Sequence, residues 1–263
     1  MDKQYKHLMK GGCIAFAAAI SMASPLANAI PINITSIASQ WLSTTPTSPD
    51  VSGQGSNTIS WGTPAETEQS SYVFAPADAS STALNGLDPE IPFGLGEFTH
   101  NNFPITGTTL TGATLEVIIG FDVIDDSSGT VSRSITSLFD FAHLETPNED
   151  DPCADGGALD EGVNENGCAD RVSFTPNPFS DTFNVGGINY DFKLIGFCPT
   201  CPTSDDTVTL VDNFWTREGE ANTAVLVAEY SATRIPLPGT AWLLLGGLAG
   251  FGAYRRRHAS LRS

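Results

Sequence analysis

Between residues 30 and 234 the chain carries only two histidines, His100 and His143. Imidazole nitrogen is a common ligand for transition metals, and Glu145 lies just beyond His143. His100, His143 and Glu145 therefore make a His/His/carboxylate set suited to zinc or a related ion. Nothing in the spacing brings the two histidines together. His100 also has a plainer reading within Thr99-His100-Asn101-Asn102-Phe103-Pro104-Ile105. Its side chain and that of Asn102 can bond backbone groups two residues on, and Pro104 fixes φ, so the motif suits a tight strand-to-strand connection.

The second chemically dense stretch is Glu149 to Asp170, where ten side chains are Asp, Glu or Asn and glycines let the backbone wrap. Hard oxygen donors at this density suit Ca²⁺, and Asp155, Asp160, Asn164, Asn166 and Asp170 are the expected ligands. The spacing is not that of an EF-hand loop. A solvated acidic loop that binds nothing is the simpler expectation.

Four cysteines stand between residues 30 and 234, two of them in this stretch: Cys153, Cys168, Cys198 and Cys201. An even count in an exported chain reads as two disulfides, with three pairings open. Cys153 with Cys168 and Cys198 with Cys201 is favoured because each pair lies in one loop-like segment. Cys-Pro-Thr-Cys has redox spacing, yet no βαβ pattern surrounds it, and the prolines argue for a stapled turn. Four thiolates on one zinc would need two close pairs, which 153/168 is not. The chain has neither a G-x-S-x-G elbow nor an H-E-x-x-H helix. Trp41, Trp61 and Trp215 could line a carbohydrate groove, although tryptophans more often belong to the core.

The elements that must position these residues are strands. Ala113 to Ile124 puts Leu115, Val117, Ile119, Phe121 and Val123 on one face. Thr130 to Leu144 is a second long strand carrying Leu138, Phe139, Phe141 and Leu144, with Asp125 to Gly129 as the turn. Gly186-Gly187 joins Phe183–Val185 to Ile188–Phe197 as a hairpin. Thr207–Thr216 and Thr223–Ala232 complete the set, and Ser43 to Gly62 reads as a long loop or arm. The pattern predicts an all-β domain over residues 30–234, an antiparallel β-sandwich of jelly-roll type.

Both ends read as addresses. Lys3, Lys6 and Lys10, the apolar run from Gly11 to Ala23, and Ala27-Asn28-Ala29 are the parts of a Sec signal peptide over residues 1–29, cut before Ile30. Cys13 stands at the start of the apolar run rather than after it, which argues against lipidation. At the other end, Ile235 to Tyr254 is free of charge and as a helix would reach about 30 Å, enough to cross a bilayer. Arg255, Arg256 and Arg257 follow and favour the cytoplasmic side for residues 255–263. Between the two ends stand five bases against 29 acids, the 30 of the chain less Asp2, for a net charge near −24. Such a surface repels nucleic acid and anionic lipid and attracts cations. Fifteen Phe and four Trp supply the apolar area for a packed core.

Ile235-Pro236-Leu237-Pro238, the Trp/Leu run, the Gly-rich stretch and the Arg triplet together resemble a PEP-CTERM sorting tail of the V/I-P-L-P variant, here over residues 235–263. In that family an exosortase, an intramembrane cysteine protease of Gram-negative bacteria, cuts near the motif. Pro236 and Pro238 keep the stretch out of the helix and open to a protease. Within the body, Thr99, His100, Asn102, Pro104 and Ile105 resemble the THxN signature of PEP-CTERM proteins and the choice-of-anchor K domain. Phe139-x-Phe141-x-His143-x-Glu145-Thr146-Pro147-Asn148, Gly167-Cys168-x-Asp170-x-Val172, and Asn222, Ala224 and Leu226 resemble it as well. The resemblance implies an exported β-sandwich with no assigned activity. Its partners would be the Sec translocon, the inner membrane and an exosortase during export, then exopolysaccharide or surface proteins in the matrix. The expected role is non-catalytic; the alternative is a carbohydrate-active or metal-dependent enzyme on the same scaffold.

Overall fold

The computed structural model describes residues 31–125, 129–175, 178–201 and 209–235, without the side chains of residue 125 and residues 178–181. The expected signal peptide with Ala27 and Ala29 lies outside the described residues. So does the sorting tail beyond Ile235, with Pro236, Pro238 and Arg255 to Arg257. Among the described residues no helix is long and apolar enough to cross a membrane.

The described residues form thirteen strands: β1 (Ile32–Thr45), β2 (Thr58–Trp61), β3 (Thr63–Pro64), β4 (Ser70–Pro76), β5 (Phe93–Asn102), β6 (Ile105–Thr106), β7 (Gly112–Asp125), β8 (Gly129–Leu144), β9 (Asp170–Phe174), β10 (Pro178–Val185), β11 (Ile188–Cys198), β12 (Asn213–Thr216) and β13 (Glu220–Arg234). They form one sheet in the order β1-β7-β8-β9-β12, a second in the order β10-β11-β13-β5-β4-β2, and a small β3-β6 ribbon. The pairings are antiparallel, so the all-β expectation holds.

The expected face of β7 is inward: Leu115, Val117, Ile119, Phe121 and Val123 are fully buried. In the β7–β8 hairpin Val123 faces Val131 and Leu115 faces Phe139. Strict alternation on β8 turns Ile135, Ser137, Phe139, Phe141 and His143 inward. Leu138 and Leu144, counted with the apolar residues of this strand, therefore point to solvent. The Gly186-Gly187 hairpin forms as expected, with Val185 opposite Ile188. Phe98 of β5 stacks on Phe141 of β8, centroids 5.3 Å apart and planes 6° from parallel, so one aromatic pair ties the two sheets face to face.

Two expectations about extent fail. Ser43–Gly62 is no loose arm, because β1 runs through Thr45, β2 occupies Thr58–Trp61, and Val51 and Trp61 join the core. The strand expected over Thr207–Thr216 is strand only from Asn213 to Thr216 within the described residues.

Candidate metal centre

Three inward-facing stripes of apolar side chains end in a polar residue at the same end of the molecule. On β5 the stripe runs Phe98, His100, Asn102; on β8 it runs Phe139, Phe141, His143; on β9 it runs back from Phe174 and Val172 to Asp170. Alternation forces each polar side chain into the space its apolar neighbours occupy. His100 comes from one sheet, and His143 and Asp170 come from the other. One nitrogen of each ring and one oxygen of Asp170 all lie within 4.8 Å of one another. The side chains of His143 and Asp170 are 0% exposed, as is the whole of His100.

The surrounding bonds fix how His100 is protonated. The Thr216 hydroxyl donates to the Asp170 carbonyl at 3.1 Å. A hydroxyl has one proton, so the contact of 2.9 Å between His100 Nδ1 and Thr216 Oγ1 must have the imidazole as donor. His100 Nε2 is then a bare lone pair, and this buried atom has no hydrogen-bond partner. Burial, reinforced by His143, holds the His100 pKa well below its ordinary value, so the ring stays neutral. Trp61 stacks on its face at 5.6 Å.

His143 is held at both nitrogens, with Nδ1 2.5 Å from the Tyr72 hydroxyl and Nε2 3.1 Å from Glu145 Oε2. Nε2 also lies 3.9 Å from Asp170 Oδ2. Burial, then the charges of Asp170 and Glu145, push the Tyr72 pKa well up, so the phenol keeps its proton. Asp170 Oδ1 accepts the Thr146 backbone N–H at 2.7 Å, whereas Oδ2 is buried without a partner. Burial, with Glu145 adding, drives the Asp170 carboxyl up to about 8. Glu218, placed after β12, has both carboxylate oxygens buried, beside Asn102 and Asn148, and burial raises its pKa to about 7. No Lys or Arg among the described residues pairs with Glu145, Asp170 or Glu218.

The THxN stretch ends in the short strand-to-strand link expected of it, but its side chains do not make the local bonds expected. Thr99, His100 and Asn102 belong to β5, and only Phe103 and Pro104 separate it from β6, which begins at Ile105. Asn102 does not bond two residues on: its Nδ2 donates to the Thr216 carbonyl at 3.1 Å, across the sheets. Its Oδ1 is left without a partner.

The His/His/carboxylate expectation fares differently. His100 and His143 meet, centroids 5.1 Å apart, with Glu145 against His143 and Asp170 added to the set. Asp170 was expected in the calcium group; instead it turns into this cluster. Of the other expected calcium ligands, Asp155 Oδ1 accepts from Gly157 N at 2.9 Å and Asn164 Nδ2 at 3.0 Å. Asn164 Oδ1 accepts from Ala169 N at 2.8 Å, and Asn166 donates to the Glu218 carbonyl at 3.2 Å. Asp155, Asp160 and Asp170 do not converge among the described residues. The loop is organised by its own bonds and by a Cys153–Cys168 disulfide; Cys198 is joined to Cys201. Trp41 and Trp61 are wholly buried, and Trp215 is half-buried with the Arg171 guanidinium 5.6 Å above its ring, so none stands open as a sugar platform.

Tyr72, Thr216 and Glu218 were not singled out from the sequence. Tyr72 and Thr216 lie on strands whose pairing with β5 and β9 is a long-range event, and an isolated Tyr or Thr in a β-rich chain carries no signal. No protein-family model matches the chain, and no curated protein matches it.

Proposed function

We propose that this chain is an exported, non-catalytic structural or adhesive protein of the bacterial cell surface or extracellular matrix. It is built as a jelly-roll-like β-sandwich and delivered through a Sec signal peptide and a PEP-CTERM-type tail that an exosortase processes at the inner membrane. The observation that carries the structural role is that the most chemically capable side chains, His100, His143 and Asp170, are sealed between the sheets. A group that no substrate reaches serves the fold. The acidic surface of the mature chain suits a hydrated polysaccharide matrix and keeps copies apart in solution. Exopolysaccharide or neighbouring surface proteins are the partners this reading implies.

The test follows the tagged full chain in an exosortase-bearing host and in the same strain lacking the exosortase. The expected result is a processed form in the surface or matrix fraction of the first, and a tail-bearing form held in the inner membrane of the second. Recovery of the intact chain from cytosol, leader uncut and thiols reduced, would overturn the reading. Release of reducing ends from exopolysaccharide by the purified protein would favour the enzymatic alternative.

A further inference from the structure

We infer that His100 Nε2, His143 Nε2 and Asp170 Oδ2 bind one divalent transition-metal ion of the zinc class, with Glu145 closing the coordination, and that this ion staples the two sheets together. The inference does not depend on where the protein resides.

Three independent observations support it. First, one nitrogen of each ring and one Asp170 oxygen already converge within 4.8 Å, and His143 Nε2 to Asp170 Oδ2 is 3.9 Å. A tetrahedral site with bonds of about 2.0–2.1 Å sets its ligand atoms roughly 3.3 Å apart, so closure needs a contraction of up to about 1.5 Å. Second, two of the three atoms, His100 Nε2 and Asp170 Oδ2, are buried without any partner. A buried polar atom left unpaired costs about 1–3 kcal/mol, and His100 Nε2, stripped of its proton by the Thr216 bond, can be satisfied only by a proton donor or a Lewis acid. Third, the carboxyl groups of Asp170 and Glu145 lie beside two imidazoles with no Lys or Arg pairing among the described residues. A divalent cation would balance the charge of both groups once they ionise to bind it.

The outer contacts are those that orient metal-bound histidines. His100 donates its other N–H to Thr216, whose hydroxyl is anchored on the Asp170 carbonyl, so one ligand steadies the other. A metal on His143 Nε2 would leave Nδ1, 2.5 Å from the Tyr72 oxygen, as the outer contact that orients the ring. Two nitrogen donors select against Ca²⁺ and Mg²⁺, which take oxygen ligands. Four protein ligands, of which only Glu145 is partly exposed, fill the coordination sphere as in a structural site.

The test uses the full chain, expressed with export so that its disulfides form and purified without chelator. Elemental analysis is expected to find about one zinc-class ion per chain, and removal by a chelator to lower Tm by about 5 °C or more, restored by Zn²⁺. Co²⁺ in its place should give the visible bands of a tetrahedral nitrogen–oxygen site. Thr216→Val, which frees His100 Nδ1, should weaken Zn²⁺ binding about ten- to hundredfold and change the Co²⁺ spectrum. Asp170→Asn should abolish both. If a variant fails to fold, the Tm of the unaltered chain with and without metal still decides. The inference is overturned if Zn²⁺, Co²⁺, Ni²⁺ and Cu²⁺ each leave less than about a tenth of an equivalent bound and Tm unmoved, or if Ca²⁺ shifts Tm as far as Zn²⁺ does.

Discussion

Glu218, outside the three converging side chains, is one residue whose placement makes the metal-free protein respond to pH. Both of its oxygens are buried, and burial, then the charge of Glu145, raises its folded pKa to about 7 from the ordinary 4.5. A folded state that holds a proton the unfolded chain has released loses stability as pH rises. For this group the contribution is fully present below about pH 4.5, drains away up to about pH 7, and stays lost above that. Glu218→Gln keeps the shape and cannot ionise. We expect it to raise the Tm of chelated protein by a few degrees at pH 8 and to leave it unchanged at pH 4.5; thermal melts at the two values check this. Among the residues of the centre, the two histidines were legible in the sequence as candidate ligands. The carboxylate between them was not, because Asp170 sits in a stretch so rich in acids that the calcium reading absorbed it.

At the scale of the element, the inward orientation of His100 depends on an irregularity in β5. Phe93 and Leu95 point inward, and so do Phe98, His100 and Asn102, which a regular strand could not do because the two sets have opposite parity. The switch is a bulge: on the partner β13, Leu226 and Val227 are consecutive, whereas they face Gly96 and Gly94, leaving Leu95 as the extra residue. Gly96 permits it, since a Cβ there would lie 2.6 Å from both the Ala75 carbonyl oxygen and the Phe74 ring. We expect Gly96→Ala to destabilise the fold by about 1–3 kcal/mol in urea titrations, by forcing β4 and β5 apart next to the centre. The Cys153–Cys168 disulfide acts on the neighbouring element, closing the acidic loop two residues before Asp170. Replacing both cysteines with alanine should cost about 3 kcal/mol for a loop of this size, measured in the same titration. The long strand β7 was legible because five-residue alternation leaves one assignment, and β8 followed as the strand across the turn, though not its inward face. The bulge was not, because a single glycine in a strand does not say which way the parity turns.

For the whole molecule, the charge between the two ends acts everywhere at once. Five bases against 29 acids repel within a compact body, and salt screens that repulsion over a Debye length of about 10 Å at 0.1 M. Tm should therefore rise by several degrees between about 10 mM and about 0.5 M NaCl, and a flat or falling dependence in differential scanning calorimetry would contradict this. The sequence by itself determined the all-β class, the β7–β8 and β10–β11 hairpins, the acidic character and the inward face of β7, since each follows from neighbours along the chain or from composition. Only the tertiary structure decided that His100, His143 and Asp170 share one buried space. They sit on three strands of two sheets, brought together by pairings such as Tyr72 with His100 and His143 with Val172. The free energy that selects those pairings comes from an aromatic core spread over the whole molecule, such as Phe98 against Phe141, and no local spacing encodes it.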